Sequence, residues 1–143
     1  MTKQEKKSLK LEFLLLCDYA YTAEGGKLSL VGKFETIFAN EFPTFHPEMF
    51  LVANFTGEEN SEYDLTLKIT APSGEELIPM NMPSLKLKLS PTGSGNIIHR
   101  FLNLPIKNRG EYLVSLNEGE RKLASIKLLI MQKNPNKESS MPN

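Results

Sequence analysis

The stretch Tyr63-Asp64-Leu65-Thr66-Leu67-Lys68-Ile69-Thr70 alternates apolar and polar side chains without a slip. Successive side chains of an extended strand point to opposite faces, so Tyr63, Leu65, Leu67 and Ile69 share one face and the polar residues the other. Such a strand lies with one face in a core and one in water, as in an antiparallel sheet. The pattern recurs elsewhere. Leu85, Leu87 and Leu89 alternate with Lys86, Lys88 and Ser90. Tyr112, Val114 and Leu116 alternate with Glu111, Ser115 and Asn117, although Leu113 breaks the polar side. Along nearly the whole chain apolar residues return at every second position and almost nowhere at every third or fourth, so helix is expected to be close to absent.

The strands between these anchors are bounded by turn chemistry. From Leu9 to Tyr19 every odd position is apolar, while Leu14 and Leu16 add apolar side chains on the opposite face, which predicts a strand that is central or covered on both sides. Glu24-Gly25-Gly26-Lys27 predicts a tight hairpin, because two glycines supply the positive φ values of primed turns. A second strand is expected from Leu28 to about Phe38. Asn40 to Pro47, with two prolines, reads as a connection crossing between sheets. Met49 to Thr56, Tyr63 to Ala71 and Glu76 to Met80 follow as strands, the last introduced by the turn Pro72-Ser73-Gly74. Pro91 to Asn96 reads as a flexible loop of small residues. Ile97 to Leu104, Gly110 to Asn117 and Arg121 to Met131 complete the set, the last two joined by the hairpin Asn117-Glu118-Gly119-Glu120. The prediction is an all-β, antiparallel β-sandwich of about eight to nine strands, immunoglobulin-like or of a related Greek-key topology, with a barrel as its competitor. Residues 8–132 form its single domain, between a flexible arm at 1–7 and a disordered tail at 133–143.

Composition narrows the partners. The chain has 143 residues, 40% of them hydrophobic and 24% charged, the make-up of one globular domain. Seventeen basic residues against seventeen acidic ones leave no global field to steer the protein to nucleic acid or an anionic membrane, and neither partner is expected. Lys3, Lys6, Lys7 and Lys10 make the one basic arm, read as solubilising. Glu12 and Leu16 spoil the likeness of the N-terminus to a secretion signal, and no stretch is long enough to span a bilayer, so a cytoplasmic protein is expected.

Catalytic chemistry is thinly supplied. Cys17 is the only cysteine and sits in a run of leucines, as a buried small hydrophobe does. The two histidines, His46 and His99, are far apart, so neither a nucleophilic triad nor a zinc site is indicated, and no cofactor is expected. The only aspartates, Asp18 and Asp64, fall inside predicted strands, which argues against calcium-binding loops. His99, between Ile97 and Phe101, reads as a core histidine held by a hydrogen bond. Glu58, Glu59 and Glu62 read as a solvated hairpin tip, Lys86 and Lys88 as a guard against edge-to-edge aggregation, and Tyr112 as a tyrosine corner. That leaves the connection before Met49, where Phe42 and Phe45 either plug an end of the sandwich or form an exposed patch, and where His46 is the better placed histidine. Phe42, Phe45 and His46 are the candidate contacts of a partner or ligand.

The run Leu14 to Asp18, the Glu24 to Lys27 hairpin, Leu28 to Gly32, and the late segment Leu104-Pro105, Gly110-Glu111-Tyr112 and Asn117 to Glu120 resemble an uncharacterised bacterial family, a domain of unknown function, over about residues 11–131. The resemblance implies a small cytosolic β-sandwich and carries over no functional residue. The expected function is a non-catalytic protein-interaction or assembly module, meeting a protein partner or itself. The alternative is a small-molecule or carbohydrate binder, or a weak hydrolase, using the loops around His46 and Glu58.

Overall fold

In the computed structural model, which describes residues 8–77 and 84–133, the predicted class is the one observed: two sheets packed face to face, with no helix beyond one 3-10 turn at Glu24–Gly26. The strands are β1 (Lys10–Ala23), β2 (Lys27–Phe34), β3 (Thr36–Ala39), β4 (Thr44–Thr56), β5 (Glu62–Thr70), β6 (Glu76–Leu77), β7 (Leu85–Lys88), β8 (Ser94–Ile106), β9 (Gly110–Glu118) and β10 (Arg121–Gln132). One sheet has the order β2-β1-β4-β8. The other runs β3-β10-β9-β5-β6, with β7 pairing the first half of β5. Every pairing is antiparallel except that of β3 with β10, which is parallel.

The inner faces supply the core. Met49, Leu51, Ala53 and Phe55 of β4 meet Leu65, Leu67 and Ile69 of β5 and Tyr112, Val114 and Leu116 of β9 in one apolar cluster, at exposures between 0% and 8%. At about 25 cal/mol for each Å² of apolar surface withdrawn from water, this inter-sheet layer is the main favourable term in folding. The alternate residues of β4 also bury. Phe50 and Val52 join Cys17, Ala20, Leu15, Leu28, Leu30 and Ile98 in a second, separate cluster made wholly from the four-stranded sheet. β1 is thus central, between β2 and β4, and apolar on both faces. A register shift between Leu11 and Phe13 explains its sequence: Leu9 and Leu11 pack on the main core, a bulge at Glu12 swaps the faces, and Leu14 and Leu16 then take over inside.

Several boundaries differ from expectation. The strand expected from Leu28 to Phe38 breaks at Glu35: β2 belongs to the smaller sheet and β3 to the larger, so the chain changes sheet there. The connection after it shrinks to residues 40–43, because β4 begins at Thr44 and pairs with β8 as far as Ile106. Phe45 and His46 therefore lie on a strand and not in a loop. Ser94, Gly95 and Asn96 are strand too, and what precedes them is a turn held by the Ser90 hydroxyl, which accepts from the Thr92 and Ser94 amides. The segment with Glu58 joins β4 to β5 across the two sheets and so is not a hairpin tip. Lys133, assigned to the tail, donates its amide to Ala39 O at 2.8 Å and continues the β3-β10 ladder. The remaining arm and tail, and the end of the strand expected to reach Met80, lie outside the described residues. No helix of the described residues is long and apolar enough to cross a membrane.

Candidate functional site

One end of the sandwich is built from the middle of β1, the end of β2, all of β3 and the start of β4. Asn103 adopts φ 51° on β8 opposite Pro47, a position missing from the β4-β8 ladder. Side-chain alternation slips there: Met49 and Leu51 face the core, and Leu104 and Ile106 face it as well, although Leu104 pairs with His46. The slip turns the His46 ring inward beside Phe34, 6.1 Å away, and turns Phe45 out. On β1 and β2 the matching irregularity is Asp18 opposite Gly32, whose φ is 70°. The Asp18 carboxyl occupies the space a side chain at Gly32 would need.

These elements form two adjoining hollows, open to solvent, that share Ile37, Phe38 and His46. One, of about 280 Å³, is completed by Asp18, Phe34 and Thr36. The other, of about 250 Å³, is lined also by Glu41, Thr44 and Phe45. Among the described residues neither is lined by a lysine or an arginine. His46 Nε2 is buried and has no hydrogen-bond partner among the described residues. Burial pushes the His46 pKa down, against the opposing pull of the Asp18 carboxylate and of a hydrogen bond to the Glu48 backbone.

Beside the cavities the outer face of β3 and β10 is apolar. Ile37 and Ile130 point into the core, so their neighbours point out: Phe38 is 57% exposed, Leu129 41% and Met131 45%, with Phe38 and Met131 register partners. Phe45, 64% exposed, lines one of these hollows together with Phe38. The structure thus gathers Phe45 and His46 at one site and takes Phe42 away from the surface, half-buried against the core as a plug. Phe38, Leu129 and Met131 were not singled out from sequence. Their signal was apolar residues on both parities of β3 and of the end of β10, legible only once β3 was known to lie on β10.

The other candidates are dispersed. Glu58 follows the far end of β4, so roughly 30 Å of strand separates it from His46 and the two do not share a pocket. His99 pairs with Leu51 near the middle of β8, its ring edge-on to Phe101 at 4.8 Å. No hydrogen bond holds that ring among the described residues, and burial alone lowers its pKa. Cys17 is fully buried, and burial pushes its thiol up, away from the reactive thiolate. Among the described residues no three His, Cys, Asp or Glu side chains are grouped to hold a metal ion. Lys86 and Lys88 lie exposed on β7, at an edge of the larger sheet. The Tyr112 hydroxyl donates to Asn108 O at 2.6 Å, the side-chain-to-backbone bond of a tyrosine corner. A broad hollow of about 480 Å³ on the outer face of the larger sheet includes Glu111 and Lys127, whose charges pair with each other at 3.3 Å.

Among solved structures the chain is similar to an immunoglobulin-like protein from Pseudomonas aeruginosa, at 14% identity and TM-score 0.46, over 86% of this chain and 96% of that one. It is also similar to part of the beta-D-glucoside glucohydrolase of Trichoderma reesei, at 16% identity and TM-score 0.49, over 87% of this chain but 19% of the glucohydrolase. Neither likeness assigns an activity to this chain. No curated protein matches it. Residues 12–131 match the model of a family of unknown function, DUF6941, and the chain belongs to that family.

Proposed function

We propose that this domain is a non-catalytic assembly module that pairs with a second copy of itself through the edge of β3. The observation that carries this is the coincidence of an open strand edge with four exposed large apolar side chains. Among the described residues β3 ends its sheet, bonded to β10 on one side and to no strand on the other. Phe38, Leu129, Met131 and Phe45 lie around it. An unpaired edge offers backbone donors and acceptors, and apolar side chains next to it supply the surface whose burial drives association. A second copy carries the same edge, so two β3 strands related by a two-fold axis pair antiparallel and continue one sheet across the interface. Zero net charge sets no long-range repulsion between copies.

Light scattering across a concentration series tests this. The expected result is a mass that rises to that of a dimer, and Phe38→Glu, at an exposed position, returns it to that of a monomer with an unchanged circular dichroism spectrum. A wild-type chain that stays monomeric at every concentration removes self-assembly, and a Phe38→Glu protein that still dimerises moves the interface elsewhere.

A further inference from the structure

We propose that the cavity between β1, β2, β3 and β4 is a recognition site for a cationic nitrogen, an alkylammonium or guanidinium group, held between Asp18, His46 and the rings of Phe34 and Phe38. The site adjoins the β3 edge and shares Phe38 with it, so ligand binding and self-association are followed separately.

Among the described residues the charge at the site has one sign. Asp18 and Glu41 line the paired cavities, and the carboxylate of neither has a hydrogen bond or salt bridge among the described residues. The nearest cation along the chain, Lys33, is engaged with Glu35 at 3.2 Å. The third polar group is the His46 ring, which lines both hollows and whose buried Nε2 has no hydrogen-bond partner among the described residues. Among the described lining residues the donors are the Thr36 and Thr44 hydroxyls, the Asn40 amide and the His46 ring, whereas the carboxylates of Asp18 and Glu41 answer a ligand that brings N–H donors and positive charge. The walls agree. Phe34, Ile37 and Phe38 give an apolar slot for the stem of an alkylammonium, and ring faces attract a cation through their quadrupole. The volume, about 280 Å³, suits a side-chain-sized head and stem rather than a cofactor. Gly32 keeps Asp18 where it is, because its missing side chain is what makes room for the carboxyl.

Two sources present this chemistry, a free small amine and a lysine or arginine side chain of another protein, and the test separates them. Amide and imidazole NMR spectra of the full chain are recorded against n-butylammonium, N-acetyl-arginine methylamide and the neutral control n-butanol, and against an extended Ala-Lys-Ala-Arg-Ala peptide with blocked ends. The expected result is saturable shifts at Asp18, Phe34, Phe38 and His46 with the cations and none with butanol, and about tenfold or more weaker binding in Asp18→Asn. Glu41→Gln, on the surface, is the second variant and weakens binding less. Tighter binding of the peptide, with shifts spreading along β3, assigns the site to a protein side chain, and equal or weaker binding assigns it to a free amine. Equal shifts with butanol, or cation binding that Asp18→Asn leaves unchanged, overturn the proposal. Translational diffusion in the same samples reports self-association separately, so failure of one reading is not mistaken for failure of the other.

Discussion

At the scale of single residues, the two histidines carry the clearest consequence of burial. His46 and His99 both have pKa values lowered from 6.5, in each case chiefly by withdrawal from water. The unfolded chain, with ordinary histidines, therefore binds more protons than the folded one once the pH drops below about 6.5. Stability from these groups is complete above that pH and is lost as pH falls through it toward the lowered folded values. Carboxylates titrate mostly below about pH 5, so the window between isolates the histidines. Thermal melts from about pH 7.5 down to about pH 5 are expected to show a falling melting temperature, and the double variant His46→Gln, His99→Gln a flatter profile. A melting temperature that rises on acidification contradicts the burial of both rings. Sequence marked His46 as the more exposed to function and His99 as structural. Their neighbours carried that distinction, but the slip at Asn103 that turns His46 inward depends on a backbone angle no residue pattern announces.

Among the elements, the connections decide more than the strands. The β4-β5 crossing and the turn before β8 are tied together, Gly57 N donating to Gly93 O at 2.9 Å and Asn60 N to Ser90 O at 3.1 Å. Gly93 has φ 82°, and a Cβ there would stand 2.6 Å from Gly57 O, a backbone atom with little room to yield. Gly93→Ala is expected to cost about 1–3 kcal/mol for the strained backbone, and more for the loosened tie. Urea denaturation checks this, and a loss below about 0.5 kcal/mol means the tie does not hold the two turns. In sequence the same stretch, Pro91 to Asn96, looked like slack, since small residues usually mean it. Here their smallness serves the close approach of two backbones.

For the whole molecule, β4 couples two apolar clusters on opposite faces of one sheet: Met49, Leu51 and Ala53 belong to the inter-sheet core, and Phe50 and Val52 to the second cluster with Cys17. Neither is expected to melt without the other, because both hang on the same backbone. Labelling of the Cys17 thiol in denaturant should share its midpoint with far-ultraviolet circular dichroism. Labelling at a lower denaturant concentration means the four-stranded sheet's outer cluster opens as a separate unit.

The amino-acid sequence alone determined the all-β class, the sandwich, the turns at Gly25-Gly26, Pro72-Ser73-Gly74 and Gly119, the corner at Tyr112 and the burial of Cys17. Each depends on the period of a few neighbouring residues or on local turn chemistry, which near neighbours settle between themselves. Only the tertiary structure decided that the strand expected to run on to Phe38 divides between two sheets, that β3 lies parallel on β10 at the edge of the described sheet, and that Asp18, Phe34, Phe38 and His46 line one hollow. Those facts follow from pairings between segments tens of residues apart. Their registers are set by the burial of both sheet faces together, a sum over the whole core that no single stretch contains.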